Sequence, residues 1–138
     1  MIDRFQNLDW GYYGPELMTA GGATLYMVGW AFILGGILGL LIGLLLYTTR
    51  PGGIFANRAV YLVTTFVVNL IRPIPFVILI AALQPLTIAV LGSGIGNTAV
   101  VFCMIWASTF GIGRIVEQNL VSVDPVVIEA ARAMGASR

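Results

Sequence analysis

Three apolar stretches alternate with short polar segments along the chain. Residues 22–49 carry no charged side chain and exceed the roughly 20 apolar residues that cross a bilayer as a helix. Two further apolar regions cover residues 59–91 and 97–112, and polar residues follow from Arg114. The pattern predicts an all-α integral membrane protein with about three transmembrane helices. The predicted parts are an N-terminal segment (1–21), a transmembrane region (22–116) and a C-terminal segment (117–138).

Prolines interrupt the middle apolar region. Residues 72–75 read Arg-Pro-Ile-Pro, and Pro85 follows, and a proline inside a helix removes a backbone donor and kinks or breaks the helix. Residues 59–71 alone would form about 20 Å of helix, which is too short to cross a bilayer. We interpret residues 59–83 as one crossing that is kinked at Pro73 and Pro75. Two crossings broken at Arg72 are the alternative.

The charged side chains are few and unevenly placed. Only 9% of the residues are charged and 59% are hydrophobic, whereas soluble domains contain about 25% charged residues. All seven basic residues are arginines, and five lie in the loop 50–58 or after the third apolar stretch. We expect a cell (inner) membrane protein, and the positive-inside rule predicts that its N-terminal segment is extracytoplasmic and its C-terminal segment cytoplasmic. The net charge of +1 provides no basic surface for nucleic acid.

Small residues recur at every fourth position of the first span. Gly35, Gly39 and Gly43 share one helix face, and small residues on one face let another helix approach closely. We predict helix packing at this face, either within one subunit or between two subunits. The third span repeats the pattern more weakly with Ala99, Cys103, Ala107 and Gly111.

Arg72 places a charge at membrane depth, where charged residues usually face protein or water. Pro73 and Pro75 leave backbone carbonyls without donors. Arg72 can bond such carbonyls, line a pathway together with Asn69, or extend to the membrane surface. The sequence leaves these alternatives open.

The sequence contains no recognisable set of residues for covalent chemistry. The chain has no histidine and one cysteine, and its six acidic residues are scattered, with none inside a predicted span. No glycine-rich phosphate loop and no serine nucleophile motif occur. We therefore predict no catalytic residue, no metal site and no cofactor.

The sequence "VDPVVIEAARAMGASR" indicates a short helix outside the membrane. Asp124 and Pro125 are typical of a helix start, and Glu129 and Arg132 are spaced to pair. About three turns are too few to cross the bilayer. A face made of alanine and glycine favours close docking on another protein.

The segment "EAARAMG" resembles the EAA loop of ABC importer permeases. Together with "LLYTTRPGGIFAN" and "NLIRPIPFVILI", it makes most of the chain similar to the methionine-uptake branch of these permeases. The resemblance implies a truncated type I permease fold, in which this chain is the N-terminal part and the short helix is an incomplete cytoplasmic coupling helix. It assigns ATPase coupling to Glu129, Ala130, Ala131 and Gly135.

The same resemblance implies a transport subunit that is not itself an enzyme. The implied partners are a dimer of ABC ATPase subunits, a second permease subunit in a homodimer, an extracytoplasmic substrate-binding protein and membrane lipid. The implied substrate is an amino acid, with methionine favoured. The alternatives are a permease for another amino acid, and a small self-associating membrane protein or channel that acts without an ATPase.

Overall fold

The computed structural model describes residues 10–136, which form five α-helices joined by short loops. The helices are α1 (Trp10–Thr49), α2 (Arg58–Ile71), α3 (Phe76–Leu91), α4 (Asn97–Val121) and α5 (Pro125–Ala133). The all-α prediction is confirmed over this range. Residues 1–9 of the predicted N-terminal segment and residues 137–138 of the C-terminal segment lie outside it.

The first helix is longer than the apolar pattern predicted. α1 has 40 residues, which correspond to about 60 Å of helix, or twice the hydrocarbon thickness of a bilayer. It already includes residues 10–21, which the pattern assigned to a separate segment. Pro15 lies inside α1 without ending it.

A sharp bend at residues 72–75 separates α2 from α3. The helix direction turns by 116° across this break, where the sequence interpretation placed a kink within one crossing over residues 59–83. α2 has 14 residues and α3 has 16, and each is shorter than the roughly 20 residues of a crossing. Together they qualify as one broken span or as a re-entrant segment.

α3 continues through Pro85, so the interruption predicted at this proline is wrong. Beyond Pro85, Thr87 Oγ1 donates to the Leu83 carbonyl at 2.9 Å. α3 ends instead at Gly92, whose φ of +75° suits glycine.

α4 extends well past the predicted end of the third span at residue 112. It has 25 residues and includes Glu117, which is buried. α4 as a whole qualifies as a candidate crossing, and Glu117 lies near its C-terminal end, beyond the predicted end of the span. α1 also qualifies, and the bent α2–α3 pair adds a third span at most, which confirms the prediction of about three.

The small-residue face of α1 packs against α4 of the same chain. A Cβ atom built on Gly35 would lie 2.6 Å from Ser108 Cβ, and one built on Gly39 would lie 2.8 Å from Ile112 Cβ. At Gly43 the nearest atom is the Gly113 carbonyl oxygen, at 2.6 Å. Real atoms do not approach so closely, so the α1–α4 distance depends on these glycines.

The weaker small-residue face of α4 turns toward α3. Cys103 Sγ lies 3.8 Å from Thr87 Oγ1, and both residues are buried. Leu46, Val68 and Phe110, from α1, α2 and α4, form a buried cluster nearby. The interior therefore joins all four long helices around α4.

We predict that Gly43→Ala destabilises the chain and that Gly36→Ala does not. The new methyl group at Gly43 meets a backbone carbonyl that cannot rotate away, whereas a Cβ at Gly36 has no neighbour within 4 Å. Overpacking of this kind costs about 1–3 kcal/mol, and alanine is otherwise the better helix former. Thermal unfolding in detergent measures both variants. Equal midpoints would contradict the close approach of α1 and α4.

Candidate functional site

The short helix α5 is defined by its two ends. Asp124 caps the start by accepting a hydrogen bond from the Val126 amide at 2.9 Å, and Pro125 occupies the first turn. At the other end, the Ala136 amide donates to the Ala131 carbonyl and the Gly135 amide to the Arg132 carbonyl, both at 3.0 Å. These two hydrogen bonds form a Schellman motif, in which the residue after the helix takes a positive φ. Gly135 fits this position with a φ of +94°.

The outer face of α5 is open and shallow. Its residues are all exposed, and all but Glu129 are apolar: Val126, Glu129, Ala130 and Ala133. Met134 continues this surface and is 84% exposed. We call these five residues the α5 outer face. A partner could approach the helix backbone closely at Ala130 and Ala133.

The inner face of α5 turns toward the loop between α1 and α2. Ala131 is half-buried and lines a cleft of about 460 Å³ with Ile128, Tyr47 and loop residues 52–54. α5 therefore lies beside the α1–α2 loop of its own chain, with this cleft between them.

The four predicted coupling residues consequently occupy three different environments. Glu129 and Ala130 lie on the outer face, Ala131 lies on the inner face, and Gly135 ends the helix. The expected pairing of Glu129 with Arg132 is wrong, because the single ion pair within residues 10–136 joins Arg114 to Glu117. Arg132 instead lines the space beside loop residues 52–54.

The sequence reasoning missed a polar cluster at the end of the bundle beside α5. Glu117 is 4% exposed and accepts hydrogen bonds from Arg114 Nη1 and, at 3.4 Å, from the Tyr61 hydroxyl. The cluster joins α4 to α2. Its detectable signal was the three-residue spacing of Arg114 and Glu117, which puts both side chains on one helix face.

The residues predicted at the helix break lie where α2 ends and α3 begins. Pro73 and Pro75 fall in the non-helical turn, and the Ile71 carbonyl accepts from the Ile74 amide at 3.1 Å. The Ile71 carbonyl thus has a backbone donor, and within residues 10–136 the Arg72 side chain donates no hydrogen bond to a carbonyl of the turn. Arg72 and Asn69 are both exposed.

Curated relatives resemble most of the chain. It is 44% identical over 115 residues to the D-methionine transport system permease protein MetI of Yersinia pestis, covering 83% of this chain and 52% of that protein. It is 42% identical over 115 residues to the protein of the same name from Escherichia coli strain K12. It is 40% identical over 121 residues to the methionine import system permease protein MetP of Bacillus subtilis, covering 88% of this chain and 54% of that protein. No family model matches the chain.

The fold agrees with this similarity. A chain of the inward-facing MetNI methionine ABC transporter superposes with a TM-score of 0.74 at 39% identity, covering 83% of this chain and 53% of that one. A second crystal form of the same transporter gives a TM-score of 0.75. The chain spans about half the length of the relatives it matches.

The described residues form an all-α protein with two or three candidate membrane spans. Over most of its length, the chain is similar to about half of a methionine-transport permease.

Proposed function

We propose that the chain forms part of the membrane-spanning permease subunit of an ATP-binding-cassette importer that carries methionine across the cell membrane. The observation that carries the proposal is the match to the methionine ABC transporter at a TM-score of 0.74 and 39% identity. The subunit performs no covalent chemistry. ATP hydrolysis takes place on partner subunits.

The ATPase docks on the α5 outer face. Ala130 and Ala133 allow a close approach, and the exposed Glu129 offers a charge to a partner. A second permease subunit completes the pathway, and an extracytoplasmic binding protein delivers the substrate. Arg72 and Asn69, which are exposed at the helix break, face this pathway.

Movement of α5 reaches the bundle by two routes. A three-residue link, 122–124, joins α5 to α4, and the inner face of α5 adjoins the α1–α2 loop. Glu117 further ties α4 to α2 through Tyr61. Closure of the ATPase dimer thus displaces α5 as a rigid body and moves α1, α2 and α4 with it.

The alternative of a small self-associating channel requires a free small-residue face. Gly35, Gly39 and Gly43 already lie against α4 of the same chain. This arrangement supports the importer proposal over the channel.

Methionine uptake tests the proposal. Two proteins would be co-expressed in cells that lack their own methionine uptake: the protein that contains this sequence, and its ATPase. We expect uptake of labelled methionine that stops when the ATPase is replaced by a variant unable to hydrolyse ATP. Uptake that persists without the ATPase would support the channel instead, and uptake of a different amino acid alone would change the substrate.

We also propose that the α1–α2 loop lies in the cytoplasm and that the start of α1 lies outside. We predict that a membrane-impermeant thiol reagent labels Met18→Cys, but not Ala56→Cys, in intact cells. Both positions are exposed, and the native Cys103 is buried, so the reagent reports sidedness. Labelling of Ala56→Cys alone would reverse the orientation.

A further inference from the structure

A polar cleft of about 450 Å³ lies where α1 ends, α2 begins and α4 ends. Arg50, Tyr61, Arg114, Glu117, Gln118 and Ser122 contribute its polar side chains. The volume falls within the range of about 300–1,000 Å³ typical of small-ligand sites. The transport mechanism above uses Glu117 and Tyr61 as a tie between helices, but it gives no role to the open space beside them.

The cleft carries one more positive charge than negative. Arg50 and Arg114 line it, and Glu117 is its single acidic residue. Arg114 is paired with Glu117 through Nη1, so part of its guanidinium remains available to a ligand. Arg50 has no carboxylate partner within residues 10–136.

Arg50 is held in a defined position without losing its hydrogen-bond donors. Its guanidinium carbon lies 4.6 Å from the centre of the Tyr47 ring, which is a cation–π contact. A cation–π contact leaves the guanidinium N–H groups that point away from the ring free to donate. Such a fork of donors matches the oxygens of a phosphate group.

The depth of the cleft corresponds to the surface of the hydrocarbon layer. Residues 17–49 of α1 contain no charged side chain, and Arg50 is the first charge after them. Residues 97–113 of α4 are likewise uncharged, and Arg114 follows directly. Lipid phosphates lie at this boundary between the apolar core and water, and basic pockets between membrane helices bind anionic headgroups there.

We propose that this cleft binds the phosphodiester headgroup of an anionic phospholipid. The phosphate oxygens accept hydrogen bonds from Arg50 and from the free donors of Arg114, and Gln118 and Ser122 face the rest of the headgroup. The single surplus positive charge matches the single negative charge of a phosphodiester. The proposal depends on the chain lying in a membrane, but not on the transport function, so either can fail alone.

The test is lipid binding to the purified chain in detergent, measured by native mass spectrometry. The chain is titrated with phosphatidylglycerol, and phosphatidylcholine serves as the zwitterionic comparison. We expect Arg50→Gln to bind phosphatidylglycerol about ten-fold more weakly, the loss typical of one charge-assisted contact. Arg58→Gln is the matched control, because it removes the same charge from an exposed residue outside the cleft. We expect Arg58→Gln to bind as the unchanged chain does.

A double variant separates the cleft from overall charge. Arg114→Gln combined with Glu117→Gln leaves the net charge unchanged and leaves no unpaired buried charge. We expect this variant also to lose affinity for phosphatidylglycerol. Equal losses in Arg50→Gln and Arg58→Gln, or no loss in Arg50→Gln, would overturn the proposal.

Inorganic phosphate distinguishes a lipid from a free anion. A large excess of inorganic phosphate should displace little phosphatidylglycerol, because the lipid is also anchored by its acyl chains. Complete displacement would assign the cleft to a free phosphate and overturn the lipid proposal.

Discussion

Ala130→Trp is expected to weaken binding of the ATPase to the chain by about 5- to 150-fold, while membrane insertion stays normal. Ala130 is exposed on the α5 outer face, so its own chain leaves room for an indole there before a partner docks. In a docked interface the same indole separates the two surfaces, and overpacking costs about 1–3 kcal/mol, which corresponds to that loss of affinity. Co-purification of the ATPase, with methionine uptake by the same variant, measures the effect.

Ala130→Ser is the matched control, because a serine side chain is nearly as small as alanine and should preserve docking. Gly135→Leu, at the end of the same helix, tests docking less clearly than Ala130→Trp does. The φ of +94° at Gly135 is strained for a leucine whatever lies nearby, so this variant would alter the end of α5 even without a partner. Normal ATPase binding by Ala130→Trp would show that the outer face is not the docking surface.

Glu117→Gln is expected to lower the stability of the chain by about 3 kcal/mol, at the low end for breaking a buried ion pair. Glu117 is 4% exposed, and its removal leaves the Arg114 guanidinium without a counter-charge. The side chain of Arg114 is 23% exposed, so water compensates part of the loss. Thermal unfolding in detergent gives the difference.

Glu129→Gln provides the comparison. Glu129 is exposed and forms no ion pair within residues 10–136, and changes at such sites cost about 0–1 kcal/mol. Addition of Arg114→Gln to Glu117→Gln should recover much of the loss, because the double variant buries no unpaired charge. Equal unfolding midpoints for Glu117→Gln and Glu129→Gln would rule out a structural role for the cluster.

The elements that the sequence predicted well are those set by local chemistry. Asp124 and Pro125 begin α5 as expected, since an acceptor side chain followed by proline is sufficient to start a helix. The break at residues 72–75 is likewise local, because two prolines remove two donors within three residues. The close helix contact at Gly35, Gly39 and Gly43 follows from their common face.

Features that depend on packing between distant segments could not be predicted. The 116° turn between α2 and α3 depends on how α3 packs against α4, which the proline spacing does not specify. The burial of Glu117 likewise depends on tertiary packing that brings Tyr61 to its carboxylate. Residues 114–121 are polar enough to lie outside the predicted span, yet α4 continues through them.

The candidate coupling residues show the same difference between what local sequence predicts and what tertiary packing decides. The sequence placed Glu129, Ala130, Ala131 and Gly135 on one short helix. It could not show which of them face outward, because that depends on the position of the α1–α2 loop against α5. The outer face therefore centres on Ala130 rather than on Ala131 and Gly135.

Cross-linking from position 130 tests most directly whether α5 is the coupling element. The chain would carry Ala130→Cys in a Cys103→Ala background and be co-expressed with the ATPase, with Ala89→Cys on the exposed surface of α3 as the control. We predict that a short thiol cross-linker joins Ala130→Cys to the ATPase and leaves Ala89→Cys unlinked. A chain that inserts and co-purifies with the ATPase, but forms no cross-link from Ala130→Cys, would contradict the assignment of α5 as the coupling helix.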